Sequence, residues 1–254
     1  MRNFIAILLS QVYRLRRSLA LWLALWIPLV NVSLQFVNYW QRGQALLPAN
    51  QIAGMWFAQN VFIVWGVMML PLYVGMTGVL LAGLEHQNGG WKHLHALPVP
   101  RWMHYLSLML VHLVLVVLAG LATLALLWLA ITILSVLRPD LGFELGADYG
   151  RMALFLARMT AAALLMVVVQ GWISIRWASF TLPMGVSVGA LFLSFLLSNT
   201  SLWRIYPWSQ PPIALQGFLP GAGPPMALPL ITGLVGGALA LVAAVGTLAQ
   251  REIL

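Results

Sequence analysis

Long stretches without charge constrain this chain more than any other feature of its sequence. From Trp102 to Leu137 there is no Asp, Glu, Lys or Arg. In lipid the backbone N–H and C=O groups of such a stretch must be paired internally, which favours a helix. Over the whole chain only 7% of the residues are charged, against about 25% in soluble domains. We therefore predict an all-α, polytopic membrane protein.

Six transmembrane helices are expected within a single domain that covers residues 1–254. The predicted spans are about 18–37, 58–83, 103–136, 151–173, 178–198 and 226–249. The third span exceeds the roughly 20 residues that a bilayer requires, so it must tilt or protrude. Pro71 predicts a kink in the second span, and residues 38–57 are expected to form an outer loop.

The first residues, 2–17, have the spacing of an amphipathic helix that lies on the membrane surface. The alternative is that they extend the first span. Basic residues near the span ends set the orientation, because they concentrate on the cytoplasmic side. The predicted inner segments carry Arg2, Arg14, Arg16, Arg17, Lys92, Arg101, Arg176 and Arg251. The outer segments carry fewer, namely Arg42, Arg138, Arg151 and Arg204. Both termini are therefore expected in the cytoplasm.

The formal net charge of +8 does not indicate a nucleic-acid partner. The basic residues are scattered at the ends of apolar runs and form no basic face with interleaved aromatic rings. Membrane lipid is the simpler partner for them. The chain has no cysteine, which excludes disulfides, thiolate metal ligands and a cysteine nucleophile.

One polar segment, residues 85–101, interrupts the apolar sequence between the second and third predicted spans. It contains the only lysine of the chain, Lys92, together with His86, His93 and His95. Residues 84–97 can form a short surface helix with Glu85, Lys92, His93 and His95 facing water or a partner. Pro98 and Pro100 end that helix. The alternative is an ordinary surface loop with interfacial Trp and Arg anchors.

The polar segment carries a resemblance to a known family. Its Glu85, Trp91-Lys92, Leu97-Pro98-Val99-Pro100-Arg101 and the following Tyr105 resemble the first cytoplasmic loop of type-2 ABC exporter permeases. The branch with lantibiotic-immunity and bacitracin-resistance permeases is the most similar. Tyr206-Pro207-Trp208-Ser209 is similar to a Pro-Trp-Ser element of that branch, and the six-span layout extends the likeness over the whole chain. One departure is that Leu106-Ser107-Leu108 follows Tyr105, where the family often has a lysine.

The resemblance implies that residues 84–101 form a cytoplasmic coupling helix that docks on a separate ABC ATPase subunit. The implied contact residues are Glu85, Trp91, Lys92, His93, Pro98 and Arg101. It also implies that segment 199–225 forms an outer re-entrant gate, with Trp203, Tyr206, Pro207 and Trp208. ATP and Mg²⁺ would then belong to the ATPase, and this chain would hold no cofactor. The sequence agrees, because it contains no G-x-x-x-x-G-K-[ST] phosphate loop.

The implied protein is a permease subunit of the bacterial inner membrane, paired with a second permease, identical or sister. It would move an amphipathic peptide antibiotic or lipid-like molecule outward. Polar residues inside the spans are candidates for the substrate path; they are Asn31, Gln35, Arg158 and Gln170. For Arg158 the alternative is snorkelling to the interface or pairing across helices.

Other functions have weaker signals. His93 and His95 are two residues apart and do not share a helix face, and no acid or thiol completes a metal site around them. His112 is expected to face the bundle interior and bond to a neighbour. The sequence has no H-E-x-x-H or G-x-S-x-G motif, so catalysis within this chain is not expected. A stand-alone channel, secondary transporter or membrane scaffold remains the alternative function.

Overall fold

The computed structural model describes residues 2–16, 18–48, 50–86, 99–143, 147–221, 224 and 226–250, and the regular elements in these ranges are helical. The α-helices are α1 (Arg2–Leu15), α2 (Leu19–Leu46), α3 (Ala53–Val64), α4 (Leu70–His86), α5 (Arg101–Leu137), α6 (Tyr149–Ala162), α7 (Leu164–Arg176), α8 (Thr181–Leu197), α9 (Gln210–Ile213), α10 (Leu228–Ile231) and α11 (Gly237–Ala249). Two π-helical turns, Trp65–Met69 and Thr232–Gly236, join α3 to α4 and α10 to α11.

The first two helices meet at Ser18, whose Oγ accepts a hydrogen bond from the Ala20 N–H at 3.2 Å. The first N–H groups of a helix have no partner within the helix, and the Ser18 side chain pairs with one of those of α2. Helix α2 therefore begins here, separate from α1. Helix α1 covers Arg2–Leu15 of the predicted segment 2–17, while the position of that segment on the membrane surface stays a prediction.

The prediction that residues 38–57 form an outer loop is wrong. Helix α2 continues to Leu46 through a distortion at Arg42, and α3 already begins at Ala53. The reason is aromatic packing beyond the apolar run: the buried Tyr39 ring lies edge-on to Phe57 and Phe143, with ring centroids 5.0 and 6.4 Å away. The amide of Asn60 also donates to the Tyr39 hydroxyl at 2.9 Å. These contacts hold the extra turns of α2 against α3.

Pro71 distorts the second predicted span in the expected place. A proline cannot donate the usual helical hydrogen bond and its ring crowds the preceding turn. The π-helical turn Trp65–Met69 lies directly before it and widens the helix there. The Pro71 carbonyl accepts a hydrogen bond from the Ser187 hydroxyl at 3.0 Å, which ties α4 to α8.

Helix α5 is the long central helix of the bundle. Its 37 residues correspond to about 55 Å at the usual rise per residue, so the prediction of an overlong third span is confirmed. Helices α1, α2, α4 and α11 pack against it. Large apolar side chains point outward elsewhere, including Trp22 and Leu25 of α2 and Val242 of α11, as expected for surfaces that face lipid.

The fourth predicted span is bent rather than continuous. Helices α6 and α7 meet at Ala163 with an angle of 43°. Gly233, in the second π-helical turn, packs directly onto the backbone of Ala161 and Ala162 at this break. The predicted span over 151–173 therefore consists of two helices, and Gly233 of the same chain packs at the break between them.

Four described segments are long and apolar enough to cross a membrane: Leu19–Leu46, Ala53–His86, Arg101–Leu137 and Leu228–Leu248. The bent pair α6–α7 makes a possible fifth. Helix α8 is apolar but has 17 residues, or about 26 Å, against a hydrocarbon core of about 30 Å. The chain is a multi-pass membrane protein, and the count of six spans stays a prediction.

Candidate functional site

The end of α4, where the polar segment begins, carries an ion pair whose carboxylate is buried. The Glu85 side chain is 1% exposed, and its Oε1 accepts hydrogen bonds from Arg14 Nη1 at 2.6 Å and from Gln11 Nε2 at 2.8 Å. Arg14 Nη2 also donates to the Leu84 carbonyl at 2.9 Å. Gln11 and Arg14 are three residues apart on one face of α1, so a single helix face clamps the end of α4. We call this cluster the α1–α4 joint.

Helix α1 also contacts the other end of the polar segment. The rings of Phe4 in α1 and Trp102 in α5 stack with centroids 6.4 Å apart. Arg101, exposed to solvent, is the first residue of α5. Helix α1 therefore contacts the chain on both sides of the segment. It binds Glu85, the first residue of the segment, through charge, and Trp102, the residue that follows the segment, through ring stacking.

Unpaired polar atoms lie in the same region. Glu85 Oε2 is buried without a hydrogen-bond partner in the described part of the chain. The same is true of both ring nitrogens of His104, one turn into α5 and 2% exposed. Buried polar atoms usually find partners, so each exception calls for an explanation. The α1–α4 joint thus has spare hydrogen-bonding capacity on the side of α5.

The predicted coupling residues are only partly visible. Trp91, Lys92, His93 and Pro98, and most of the predicted coupling helix 84–101, lie outside the described residues. Glu85 does not face water or a partner as expected, because α1 covers it. Sequence reasoning did not single out Gln11 and Arg14, which bind Glu85; their spacing on the polar side of an otherwise apolar helix was the available signal. The coupling role of Glu85 and Arg101 stays a prediction.

Two of the predicted path residues, Asn31 and Gln170, connect helices through hydrogen bonds, and the substrate path itself stays a prediction. Asn31 is fully buried and donates from Nδ2 to the Val61 carbonyl at 3.2 Å, joining α2 to α3. Gln170 is fully buried and donates from Nε2 to the Pro183 carbonyl at 2.8 Å, joining α7 to α8. Gln35 is half-buried on α2. Each amide oxygen of Asn31 and Gln170 lacks a partner among the described residues.

His112 lies in the bundle interior and bonds to a neighbour, which confirms its prediction. Its Nε2 is 3.1 Å from the Val74 carbonyl and 3.1 Å from the Thr77 hydroxyl. A carbonyl only accepts, so Nε2 carries the hydrogen and Nδ1 carries none in a neutral ring. Two glycines, Gly78 and Gly171, pack against the ring. A Cβ added at either position would crowd it.

The predicted outer gate is a compact hydrogen-bonded segment. Tyr206 stacks on the buried Trp208 with ring centroids 5.6 Å apart, and its hydroxyl donates to the Ala190 carbonyl at 3.0 Å. Pro207 begins a 3-10 turn, and the half-buried Trp203 supplies a carbonyl to the Ser209 hydroxyl. Burial raises the pKa of the Tyr206 phenol, so it remains a donor. The segment is packed onto α8, whereas its re-entrant and gating roles stay predictions.

Comparison with known families decides what kind of protein this is. The family model described as ABC-2 family transporter protein matches residues 8–196, more than half of the chain. The chain belongs to the ABC-2 transporter family. No curated protein and no solved structure matches it. The match begins inside α1 and ends in α8, so it includes the α1–α4 joint and the polar segment.

Membership makes this ABC-2 chain a membrane component of a transporter, and it implies partnership with ABC ATPase subunits. The type-2 ABC permease family predicted from the polar segment is thereby confirmed. The lantibiotic-immunity branch stays a prediction. In the described residues no group of three or more His, Cys, Asp or Glu side chains is placed to hold a metal ion.

One cavity of the ABC-2 chain opens beside the joint. It has a volume of about 440 Å³ and lies between the start of α2, the end of α4 and the turn from α7 to α8. Hydroxyl and aromatic side chains share its lining, including Ser18, Ser174, Ser179, Trp177 and Phe180. Gly83 also lines it, and a Cβ added there would meet nothing within 4 Å. A molecule with both polar and apolar parts suits such a wall.

Proposed function

We propose that this chain is the permease subunit of an ABC exporter that moves an amphipathic molecule outward across the bacterial inner membrane. The observation that carries the proposal is the family match over a chain that has several apolar helices and no phosphate loop of its own. Energy must then come from a separate ATPase, which would bind at the polar segment between α4 and α5. A second permease, identical or sister, would complete the transporter.

The α1–α4 joint supports a mechanical role for this region. Arg14 and Gln11 attach α1 to Glu85, and Phe4 attaches it to Trp102. A push on the polar segment would thus move α1, the end of α4 and the start of α5 together. Because α4 also packs on α7 and α8, displacement at the joint reaches the interior of the bundle.

The cavity of about 440 Å³ supports an amphipathic cargo. Its hydroxyl groups suit a polar head and its Trp177 and Phe180 rings suit an apolar chain. We propose it as the inner entrance. Filling it through Gly83→Phe should reduce transport several-fold while ATP hydrolysis continues. Gly185→Phe is the matched control, because a Cβ at Gly185 also meets nothing within 4 Å.

Purification of the tagged chain from its native membrane tests the proposed function. We expect a protein with an ATP-binding phosphate loop to accompany it, and the purified complex to hydrolyse ATP. Absence of such a partner under mild detergent conditions would contradict the proposal. Transport by the chain alone in reconstituted vesicles would favour the stand-alone transporter.

A sharper follow-up experiment asks whether a change at the α1–α4 joint uncouples ATP hydrolysis from transport. Glu85→Gln keeps the shape of the side chain and removes its charge, so the complex should assemble and hydrolyse ATP with less transport per ATP. Asp140→Asn makes the same chemical change at the opposite end of α5 and is the control. Equal transport per ATP in both variants would argue against coupling through the joint.

A further inference from the structure

Two arginines of α6, Arg151 and Arg158, form no ion pair with a carboxylate of the described residues. The ion pairs of the described residues join Arg14 to Glu85 and Arg138 to Asp140, and neither includes Arg151 or Arg158. Asp148 is the closest acid in the sequence, and its Oδ1 instead accepts the backbone N–H of Arg151 at 2.9 Å to cap the helix. Neither guanidinium of α6 is thus paired directly with a carboxylate in the described part of the chain.

The two guanidinium groups converge on one aromatic ring. Arg151 and Arg158 are seven residues apart, so they project from nearly the same face of the helix. Their Cζ atoms lie 5.9 and 5.6 Å from the centroid of the Phe155 ring. Phe155 is fixed edge-on against Phe218 at 5.3 Å, so the ring is a rigid platform between the two charges.

Neutral carbonyl groups hold one edge of each guanidinium. Arg151 Nη2 donates to the carbonyls of Gly217 at 2.8 Å and Leu219 at 3.2 Å. Arg158 Nη2 donates to the Met226 carbonyl at 2.9 Å. In the described part of the chain Nη1 of neither arginine has a hydrogen-bond partner, and each side chain is only half-buried. The free edges are therefore positioned but unused.

We propose that Arg151 and Arg158 form a binding site for the phosphate group of a net-negative membrane amphiphile. An uncompensated charge near the hydrocarbon region is costly, and lipid phosphate is the anion available there. The planar guanidinium matches phosphate through two parallel hydrogen bonds. A net-negative headgroup balances the pair, whereas a zwitterionic one does not. Binding requires neither an ATPase nor transport, so the site stands apart from the proposed function.

The test measures lipid binding to the purified full-length chain in detergent, by native mass spectrometry. Phosphatidylglycerol, phosphatidylcholine and inorganic phosphate are the three probes. We expect phosphatidylglycerol to bind more tightly than phosphatidylcholine. The double variant Arg151→Gln with Arg158→Gln should weaken phosphatidylglycerol binding about tenfold or more, since each arginine contributes to attraction of an anionic headgroup.

Two further variants separate charge from fold. The double variant Arg151→Lys with Arg158→Lys keeps both charges but not the two parallel hydrogen bonds, so its affinity for phosphatidylglycerol should lie between those of the parent and the glutamine pair. Arg204→Gln removes an exposed positive charge near the same end of the bundle and should change nothing. The proposal is overturned if the glutamine pair binds phosphatidylglycerol as tightly as the parent chain, or if Arg204→Gln weakens binding as much as the glutamine pair does. Displacement of phosphatidylglycerol by inorganic phosphate alone would assign the site to a soluble phosphate instead of a lipid.

Discussion

At the scale of single residues, the Arg14–Glu85 pair has an asymmetric environment. Glu85 is 1% exposed, whereas Arg14 is 39% exposed and can be hydrated without its partner. Arg14→Ala leaves a buried carboxylate with only Gln11, and should lower the free energy of unfolding by about 2 kcal/mol, below the usual figure for fully buried pairs. Glu85→Gln leaves a solvated arginine and a neutral amide, and should cost about 1 kcal/mol.

Thermal unfolding in detergent measures this difference. The double variant Arg14→Ala with Glu85→Gln should be more stable than Arg14→Ala alone, because the buried charge is gone. A lower unfolding temperature for Glu85→Gln than for Arg14→Ala would show that the burial of Glu85 is not what makes the pair matter.

A second charged pair, at the far end of α5, predicts a pH dependence. Hydrogen bonds from Arg138 Nε and Nη2, both 2.8 Å long, hold the pKa of Asp140 below its ordinary value, and the Arg138 charge and the Gln44 amide add to this. A carboxyl whose pKa is lower when folded stabilises the fold above its unfolded pKa. That contribution disappears as the pH falls through the folded pKa.

The Asp140→Asn variant isolates this effect. It should unfold at a lower temperature than the parent at pH 7 and pH 5, and the two should converge once the pH falls below the folded pKa of Asp140, which lies below the ordinary value of an aspartate. An equal gap at all pH values would mean that Asp140 acts through its shape or its hydrogen bonds and not through its charge.

The burial and hydrogen bonding of a residue could be predicted where its neighbours in the sequence determine them. His112 lies within a long apolar run, so its burial and bonding followed from the sequence. Glu85 lies at the end of an apolar run beside polar residues, so exposure was the natural expectation. Its burial depends on Arg14 and Gln11, more than 70 positions away in the chain, and no periodicity within α4 reports such a contact.

At the scale of helices, the packing at the break between α6 and α7 depends on a glycine from another helix. A Cβ at Gly233 would lie 2.6 Å from the Ala162 Cα and even closer to the Ala161 carbonyl oxygen. Both atoms belong to the backbone and cannot rotate away. Gly233→Ala should therefore push the π-helical turn off the joint and lower the unfolding free energy by about 2 kcal/mol or more.

Gly246→Ala is the matched control for that change. It lies in α11, where a Cβ would meet nothing within 4 Å, so the variant should be neutral or more stable by up to about 1 kcal/mol. The comparison is made by thermal unfolding in detergent. Equal unfolding temperatures for the two variants would show that the break between α6 and α7 tolerates separation from α10 and α11.

Helices were predictable from apolar length and less so from their distortions. The long α5 and the disturbance at Pro71 followed from the sequence, because a charge-free run and a proline act locally. The break at Ala163 has no proline or glycine beside it, and Gly233 reaches it from far along the chain. The extra turns of α2 beyond residue 37 likewise depend on Tyr39 meeting Phe57 and Phe143.

At the scale of the whole molecule, the crossing of α8 decides the topology. With six spans both termini lie on the same side of the membrane, and the arginine distribution predicts that this side is the cytoplasm. If the bent pair α6–α7 crosses as one span and the 17 residues of α8 do not cross, five spans remain and the termini lie on opposite sides. The location of the two ends therefore tests the predicted count against the shorter one.

The chain suits a labelling experiment because it contains no cysteine. Single variants Ser10→Cys, Ser201→Cys and Gln250→Cys place one thiol at three exposed positions near the two ends and in the segment after α8. In intact cells a membrane-impermeant maleimide should label only Ser201→Cys. The other two should react after permeabilisation, because six spans put both ends inside. Labelling of Gln250→Cys in intact cells, with Ser10→Cys protected, would reduce the count to an odd number and move the end of α11 to the outer face.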